Sequence, residues 1–369
     1  MRRPLAALCA VLLLAAGCAA KPSGSAPASG APPSGAGASG AAASGAAASV
    51  EPSIPPGDFV NPVLKDDFPD PFVLRDGSTY YAYATTDGAQ HIQLARSPDL
   101  VTWEELNDPL PKIALWSSGD TWAPEVTKTS AGYVMYYTAH DPDLKRPDSN
   151  GSQCITVAVA SAAEGPFVDS SKAPLVCQPS LGGSIDATEF EDKGGARYLA
   201  WKNDGNCCGL ATRFFIQRLT DDGLRLTGKP SDMGVVNDQQ WEGGVIEAPT
   251  LLLHDGTYYL FYSGNAYDTE FYSIGYATSK KVTGPYTDAP DNPLVSSAWN
   301  HAITSRARGP GHQSVVQAVD GSLWMTFHAW DEDAVGYANG GEREMWIDKL
   351  TFNGAKPVVE PTDQPQPKP

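Results

Sequence analysis

Five short stretches bring acidic residues, prolines and one histidine to comparable places along the chain. They are Phe68-Pro69-Asp70-Pro71, the run WAPEV from Trp122, SIDATEF around Asp186, GVIEAPT around Glu247 and GPGHQS around His312. Pro71, Pro124 and Pro249 stiffen three of these approaches, and Gly309 and Gly311 permit close turns in the fifth. Acidic residues on a solvated edge could fall anywhere; here they recur beside rigid backbone and apolar runs. Separated carboxylates suit hydrolysis of a glycosidic bond. One carboxylic acid protonates the departing oxygen, while another carboxylate activates water or attacks the sugar. A third carboxylate nearby raises the acid's pKa and keeps it protonated. Trp116 and Trp122 offer rings for the apolar faces of sugars. Asp70 shares its neighbourhood with Asp66, Asp67 and Asp76. The alternative for it is therefore an ordinary turn aspartate.

The elements that must position these groups repeat. DGSTYYAYAT begins at Asp76, AGYVMYYTAH at Ala131, GGARYLAWKN at Gly194, DGTYYLFYSG at Asp255 and DGSLWMTFHA at Asp320. Tyr80, Tyr133, Tyr198, Tyr258 and Leu323 are spaced by 53, 65, 60 and 65 residues. Each run reads as a turn followed by the first strand of a module. A second strand is expected at HIQLARS, ITVAVAS, FFIQRLT, YSIGYAT and AVGYANG. No long amphipathic helix interrupts the series. Modules of this kind must stack to cover their faces. Five of them predict an all-β, five-bladed β-propeller, with the acidic stretches converging at the blade entrances. A β-sandwich would leave the five repeats unexplained.

The ends read differently. Arg2 and Arg3 precede an apolar run from Leu5 to Ala16, too short to span a bilayer comfortably, and Leu14-Ala15-Ala16-Gly17-Cys18 looks like a bacterial lipobox. We expect a signal peptide over 1–17 and lipidation at Cys18, with an ordinary secretory signal as the alternative. Residues 18–57, dominated by Ala, Gly, Ser and Pro after the cysteine, read as a flexible linker. Residues 58–357 are expected to form the propeller and 358–369 a Pro-rich tail. The protein is thus expected to be exported, anchored at the bacterial surface or on the periplasmic face, and monomeric. A net charge of −17 disfavours nucleic acid as a partner. Cys154, Cys177, Cys207 and Cys208 allow three complete disulfide pairings. Cys154–Cys177 would close a short loop and leave Cys207–Cys208 vicinal; a metal site is the weaker alternative.

Over residues 60–353 the chain resembles glycoside hydrolase family 43, whose members are five-bladed inverting enzymes acting on arabinose- and xylose-containing polysaccharides. Asp70-Pro71 matches the family's first-blade motif, which implies that Asp70 is the general base. DATEFEDKGGARYLAW matches the third-blade motif, implying that Asp186 tunes and orients the acid. Glu247 in IEAP matches the general acid. His312 matches an axial histidine that in the family lies near a buried water or cation. The resemblance implies no cofactor for the chemistry, with a structural Ca²⁺ or other cation near His312 in the channel. Asp120, Trp122 and Arg343 join Trp116 and His312 as candidate substrate contacts. Arg343 could equally be a structural ion pair, and His312 a packing residue. Glu125, Glu189 and Glu242 are not assigned to catalysis. The segments NDGNCCGLATRFFIQRLTDDGLRLTG and SGNAYDTEFYSIGYATS most resemble members acting on arabinan or arabinofuranosyl side chains. The expected activity is therefore α-L-arabinofuranosidase. β-Xylosidase and endo-1,5-α-L-arabinanase are the alternatives, and a propeller that binds glycans without cleaving them is a further one.

Overall fold

The computed structural model describes residues 54–299 and 302–369. The expected signal peptide, Cys18 and most of the linker lie outside the described residues. Five antiparallel sheets follow one another along the chain. Blade one comprises Phe72–Asp76, Thr79–Ala84, Gln93–Ser97 and Glu104–Leu106, and blade two Trp122–Thr129, Gly132–Lys145 and Gly151–Ala160. Blade three comprises Ser184–Glu191, Arg197–Asn203, Arg213–Leu219 and Leu226–Val236. Blade four runs Ile246–His254, Thr257–Gly264 and Ser273–Ser279, with Thr287–Asp288 and Val295–Ser296 both pairing with the third strand. Blade five comprises Ala307–Gln317, Leu323–Asp331, Glu344–Asn353 and Lys356–Val358. The fold is a five-bladed β-propeller.

The aromatic runs are the second strand of each blade, not the first. Each pairs with a preceding strand that contains one of the five stretches or begins just after it. Those first strands escaped the sequence pattern because prolines interrupt three of their approaches and a Gly-Pro-Gly run interrupts another. The run AVGYANG is likewise not a strand: Tyr337–Asn339 is a short 3-10 turn, and Glu344–Asn353 pairs with Leu323–Asp331 instead.

The second strands read as nearly unbroken apolar runs because neighbouring blades cover both of their faces. Five cores result, one at each blade–blade junction. Tyr83 and Leu94 of blade one meet Met135 and Tyr137 of blade two. Val134 and Tyr136 meet Leu199 and Trp201 of blade three. Ala200 and Phe214 meet Leu260 and Tyr262 of blade four, and Tyr259 and Phe261 meet Phe327 and Trp346 of blade five. Tyr80 and Ala82 close the ring against Val316 and Trp324. At the seam Asp58–Phe59 pairs with Gln366–Pro367, inside the Pro-rich tail, and buried Asn61 donates to the Ile347 carbonyl and the Asp348 carboxyl.

Candidate active site

At each blade entrance a non-glycine residue with positive φ marks the corner: Asp70 (57°), Ala123 (43°), Asp186 (56°), Ala248 (54°) and His312 (50°), with Asp120 (50°) a second one ahead of the blade-two strand. This left-handed conformation costs an L-residue energy and persists where its surroundings enforce it. In blades two to five it coincides with a break in strand register, so the first strand bulges toward the axis. At four entrances the peptide N–H of that residue donates to a side chain of the preceding blade. Asp70 N–H reaches His328 Nδ1 (3.1 Å), Ala123 reaches Thr85 Oγ1 (2.9 Å), Ala248 reaches Asp186 Oδ2 (2.9 Å) and His312 reaches Ser263 Oγ (2.8 Å). At these four entrances the preceding blade thereby sets the corner of the next. In blades one, three and five the residue with positive φ itself carries the candidate side chain. In blades two and four it is the residue before, Trp122 and Glu247.

Asp70, Trp122, Asp186, Glu247, His312 and Arg343 all line one cavity of about 390 Å³. Trp116 and Asp120 are not among its lining residues. The Trp116 ring donates to Ser171 Oγ (3.0 Å) and packs against the core between blades one and two. Asp120 is exposed on the loop before Trp122.

The Asp70 corner gathers a guanidinium, two imidazoles and a hydroxyl. Arg343 Nη1 lies 2.9 Å and His312 Nδ1 3.1 Å from Asp70 Oδ1, and the Thr85 hydroxyl donates to Oδ2 at 2.6 Å. Burial alone would raise this carboxyl, but Arg343, His312 and Thr85 together outweigh it and hold Asp70 well below the usual range. His328 is buried and its pKa is pushed well down, chiefly by burial. Its Nδ1 accepts the Asp70 N–H, so the ring is a neutral acceptor that fixes the backbone. Arg343 is held in turn: its Nε donates to Tyr337 Oη (2.8 Å), and the Tyr267 and Tyr337 rings lie 4.8 and 5.4 Å from its guanidinium carbon. Asp67 shapes this approach by accepting the Arg343 N–H at 2.7 Å.

The opposite corner holds Asp186, Glu247 and a buried lysine. Lys202 Nζ sits 3.1 Å from Glu247 Oε2, and the Tyr272 hydroxyl donates to Oε1 at 2.7 Å. Burial opposes the charge on Lys202, but Glu247, Asp186 and Asp204 outweigh it and raise its pKa. Asp186 is pushed upward by burial and by Glu247, against the pull of His312 and Lys202. Because Asp186 accepts the Ala248 N–H, it also fixes the peptide that follows Glu247. Burial also lifts Asp204 to about 6, although Lys202 pulls the other way.

Lys202, Tyr272, His328, Asp204 and Tyr267 are site residues the sequence reading missed. A signal was present for two of them: Lys202 and His328 are lone polar groups near the ends of the apolar runs YLAWK and WMTFH. Tyr272 can reach Glu247 because Gly311 has no side chain; a Cβ there would collide with the Tyr272 ring. The unassigned glutamates have structural partners. Glu189 pairs with Arg197 (2.8 Å), and Glu242 accepts the Asp238 and Gln239 N–H groups. Glu125 accepts the Glu189 N–H at 2.6 Å. Cys154–Cys177 and Cys207–Cys208 are both bonded, and Cys207 lines the cavity. The cation expected near His312 finds no ligand set: among the described residues no group of three or more His, Cys, Asp and Glu is arranged to hold a metal. The adjoining carboxyls are already taken, Asp70 by Arg343 and Asp186 by the Ala248 N–H.

Residues 59–356 match the model of the family described as Glycosyl hydrolases family 43. The chain is 29% identical over 322 residues to the "Beta-xylosidase" of Bacillus subtilis (strain 168), covering 81% of this chain and 56% of that protein. It is 28% identical over 315 residues to "Extracellular endo-alpha-(1->5)-L-arabinanase 2" of the same organism, covering 76% and 62% respectively. It therefore spans only 56–62% of the length of these two relatives. The crystal structure of a thermostable family-43 glycoside hydrolase superposes with a TM-score of 0.73 at 32% identity, covering 84% of this chain and 99% of that one.

Proposed function

The chain belongs to glycosyl hydrolases family 43, and from that premise we propose that it hydrolyses glycosidic bonds of arabinose- or xylose-containing glycans with inversion at the anomeric carbon. The observation that carries this reading is the convergence of Asp70, Asp186 and Glu247 on one cavity, with Asp70 and Asp186 driven in opposite directions. Asp70, kept ionised, accepts a proton from water as that water's oxygen bonds to the anomeric carbon. The bond from that carbon to the leaving oxygen breaks, and Glu247 gives its proton to that oxygen. Water has then been divided between the two products, and one proton must pass from Asp70 to Glu247 through solvent before the next turnover. The groups should stand about 6.5–9.5 Å apart to admit the water. Asp186 positions the acid through the Ala248 peptide. Water and substrate supply everything this reaction needs.

For the sugar, we infer α-L-arabinofuranose released from arabinan or arabinoxylan side chains. The likeness of the blade-three and blade-four segments to arabinan-active members supports it. The β-xylosidase among the relatives favours xylose as the second reading. Product analysis on debranched arabinan, branched arabinan, arabinoxylan and xylo-oligosaccharides decides between them, with anomeric configuration followed by NMR. Release of arabinose as the inverted anomer is expected. Retention would overturn the inverting mechanism, and binding without turnover across the panel would overturn the hydrolytic assignment. The Leu14–Cys18 motif supports export and a lipid anchor. Labelling with a radioactive fatty acid in a bacterial host, lost in Cys18→Ala, is the corresponding check.

A further inference from the structure

Lys202 is wholly buried, and its ammonium donates to Glu247 Oε2 at 3.1 Å and to Asn206 Oδ1 at 3.0 Å. Three carboxyls draw on its charge, those of Glu247, Asp186 and Asp204. Asn206 is a neutral acceptor, so it fixes where the ammonium sits without adding a further charge. That position matters to the acid. An ammonium beside Oε2 stabilises the negative charge that develops on Glu247 as its proton leaves.

Asn206 belongs to the 3-10 turn Gly205–Cys208, whose last two residues are joined by the Cys207–Cys208 disulfide. The turn is tied down at its end and from below. Gly209 (φ 67°) closes it, and the Gly209 and Leu210 N–H groups both donate to the Gly205 carbonyl. Beneath it, Asn203 Nδ2 donates to the Leu181 and Ala211 carbonyls at 3.0 and 3.1 Å. Gly182 forms the floor: a Cβ there would come within 3.1 Å of Cys207 Sγ. A disulfide between neighbours closes no long loop, so the entropy that makes a crosslink stabilising is small here. What it restricts is the backbone beside Asn206, through a ring that contains the Cys207–Cys208 peptide bond.

We propose that Asn206 is a positioning residue for the acid and that the Cys207–Cys208 bond braces it. Together they hold Lys202 on Glu247 rather than on Asp204. The proposal rests on the hydrolase reading above.

Asn206→Ala, the double variant Cys207→Ala/Cys208→Ala and the two combined, each in the full chain, test this. Each is assayed on the phenyl and the dinitrophenyl glycoside of the sugar or oligosaccharide that the parent protein releases. Phenoxide needs a proton to leave, whereas dinitrophenoxide does not, so only the first reaction depends on a well-placed acid. Asn206→Ala and the double cysteine variant should each lose about three- to tenfold in kcat/KM on the phenyl glycoside, and less than about twofold on the other. The combined variant should be no worse than Asn206→Ala alone, because both changes act through one contact. Melting temperatures should stay within a few degrees of the parent's. Unchanged hydrolysis of the phenyl glycoside by Asn206→Ala overturns the proposal. Equal loss on both glycosides overturns it too, by making Asn206 a substrate contact. An unchanged rate or a large fall in melting temperature in the double cysteine variant, or additive losses in the combined one, overturn the part given to the disulfide. A parent protein inert toward both glycosides and toward the glycan panel would instead defeat the hydrolase reading, and this inference with it.

Discussion

Asp70 and Asp186 occupy the same place in two blades, with nearly the same backbone (φ 57° and 56°), and their carboxyls are driven in opposite directions. Both are buried. Asp70 meets a guanidinium, an imidazole and a hydroxyl; Asp186 meets another carboxylate, with a lysine shared between them. The propeller repeat thus sets where a side chain points, and the neighbours imported from the adjoining blades set its protonation. A corner where a guanidinium and hydrogen-bond donors hold a carboxylate ionised suits the activation of water. A corner where like charges crowd one another suits the delivery of a proton.

The sharpest way to break this contrast is to neutralise each corner in turn and vary the leaving group. Asp70→Asn and Glu247→Gln should each lower kcat on an oligosaccharide by about 10²–10⁴-fold, the usual worth of general acid–base catalysis. On an aryl glycoside whose phenol leaves without protonation, Glu247→Gln should recover most of its activity and Asp70→Asn none. Equal behaviour of the two variants on both substrates would remove the distinction between base and acid.

Next in size is Arg343→Met. Without the guanidinium, burial raises the Asp70 carboxyl, so the fraction ionised at mildly acidic pH falls. Because activity requires the ionised form, the acidic limb of the kcat/KM profile should move to higher pH. The sign is definite: a carboxylate held low by its partners stays ionised until the pH falls through its depressed pKa, and loses that range with the partner. An acidic limb that stays in place would separate Arg343 from Asp70 and leave it as a substrate contact alone. Tyr272→Phe tests the other corner more gently. It removes the 2.7 Å hydroxyl from Glu247 and keeps the ring against Gly311. A loss of about two- to tenfold in kcat/KM is expected for one hydrogen bond that orients the acid. No loss would mean that Lys202 alone holds the acid.

The contrast also explains what could be read from the chain. The blade number was legible because the second strands are buried on both faces and carry their aromatic runs at regular intervals. The three catalytic candidates were legible because each sits at a repeat position marked by its neighbours in sequence, Asp70-Pro71, Ile185-Asp186 and Glu247-Ala248-Pro249. Their partners were not. Lys202 and Glu247 meet across blades, as do Tyr272 with Gly311 and His328 with the Asp70 N–H, and no local pattern encodes such meetings. The first strands were missed for the same reason that they function: the bulges and prolines that aim side chains at the axis spoil the alternation by which strands are recognised. AVGYANG failed in the opposite way, since its apolar residues suggest a strand but Gly336 and Gly340 flank a 3-10 turn.

Glu125 supplies the smallest and cleanest test, because it is an entrance carboxyl with no cation beside it. Burial pushes it up to about 8, against the hydrogen bonds from Thr188 and the Glu189 N–H. Its neutral form therefore belongs to the folded state. The stability this gives is fully present below the unfolded value near 4.5 and is lost as pH rises through the folded value near 8. Glu125→Gln keeps an oxygen to accept the Glu189 N–H and removes the titration. The melting temperatures of the two proteins should draw apart from about pH 5 upward, with the variant higher by a few degrees at pH 8.5. Activity near neutrality should be unchanged, since Glu125 lines the narrow channel and not the substrate cavity. Melting temperatures that run parallel across the whole range would show that Glu125 is compensated as Asp70 is. The rule that neighbours, rather than entrance position, decide a carboxyl's charge would then lose its blade-two case.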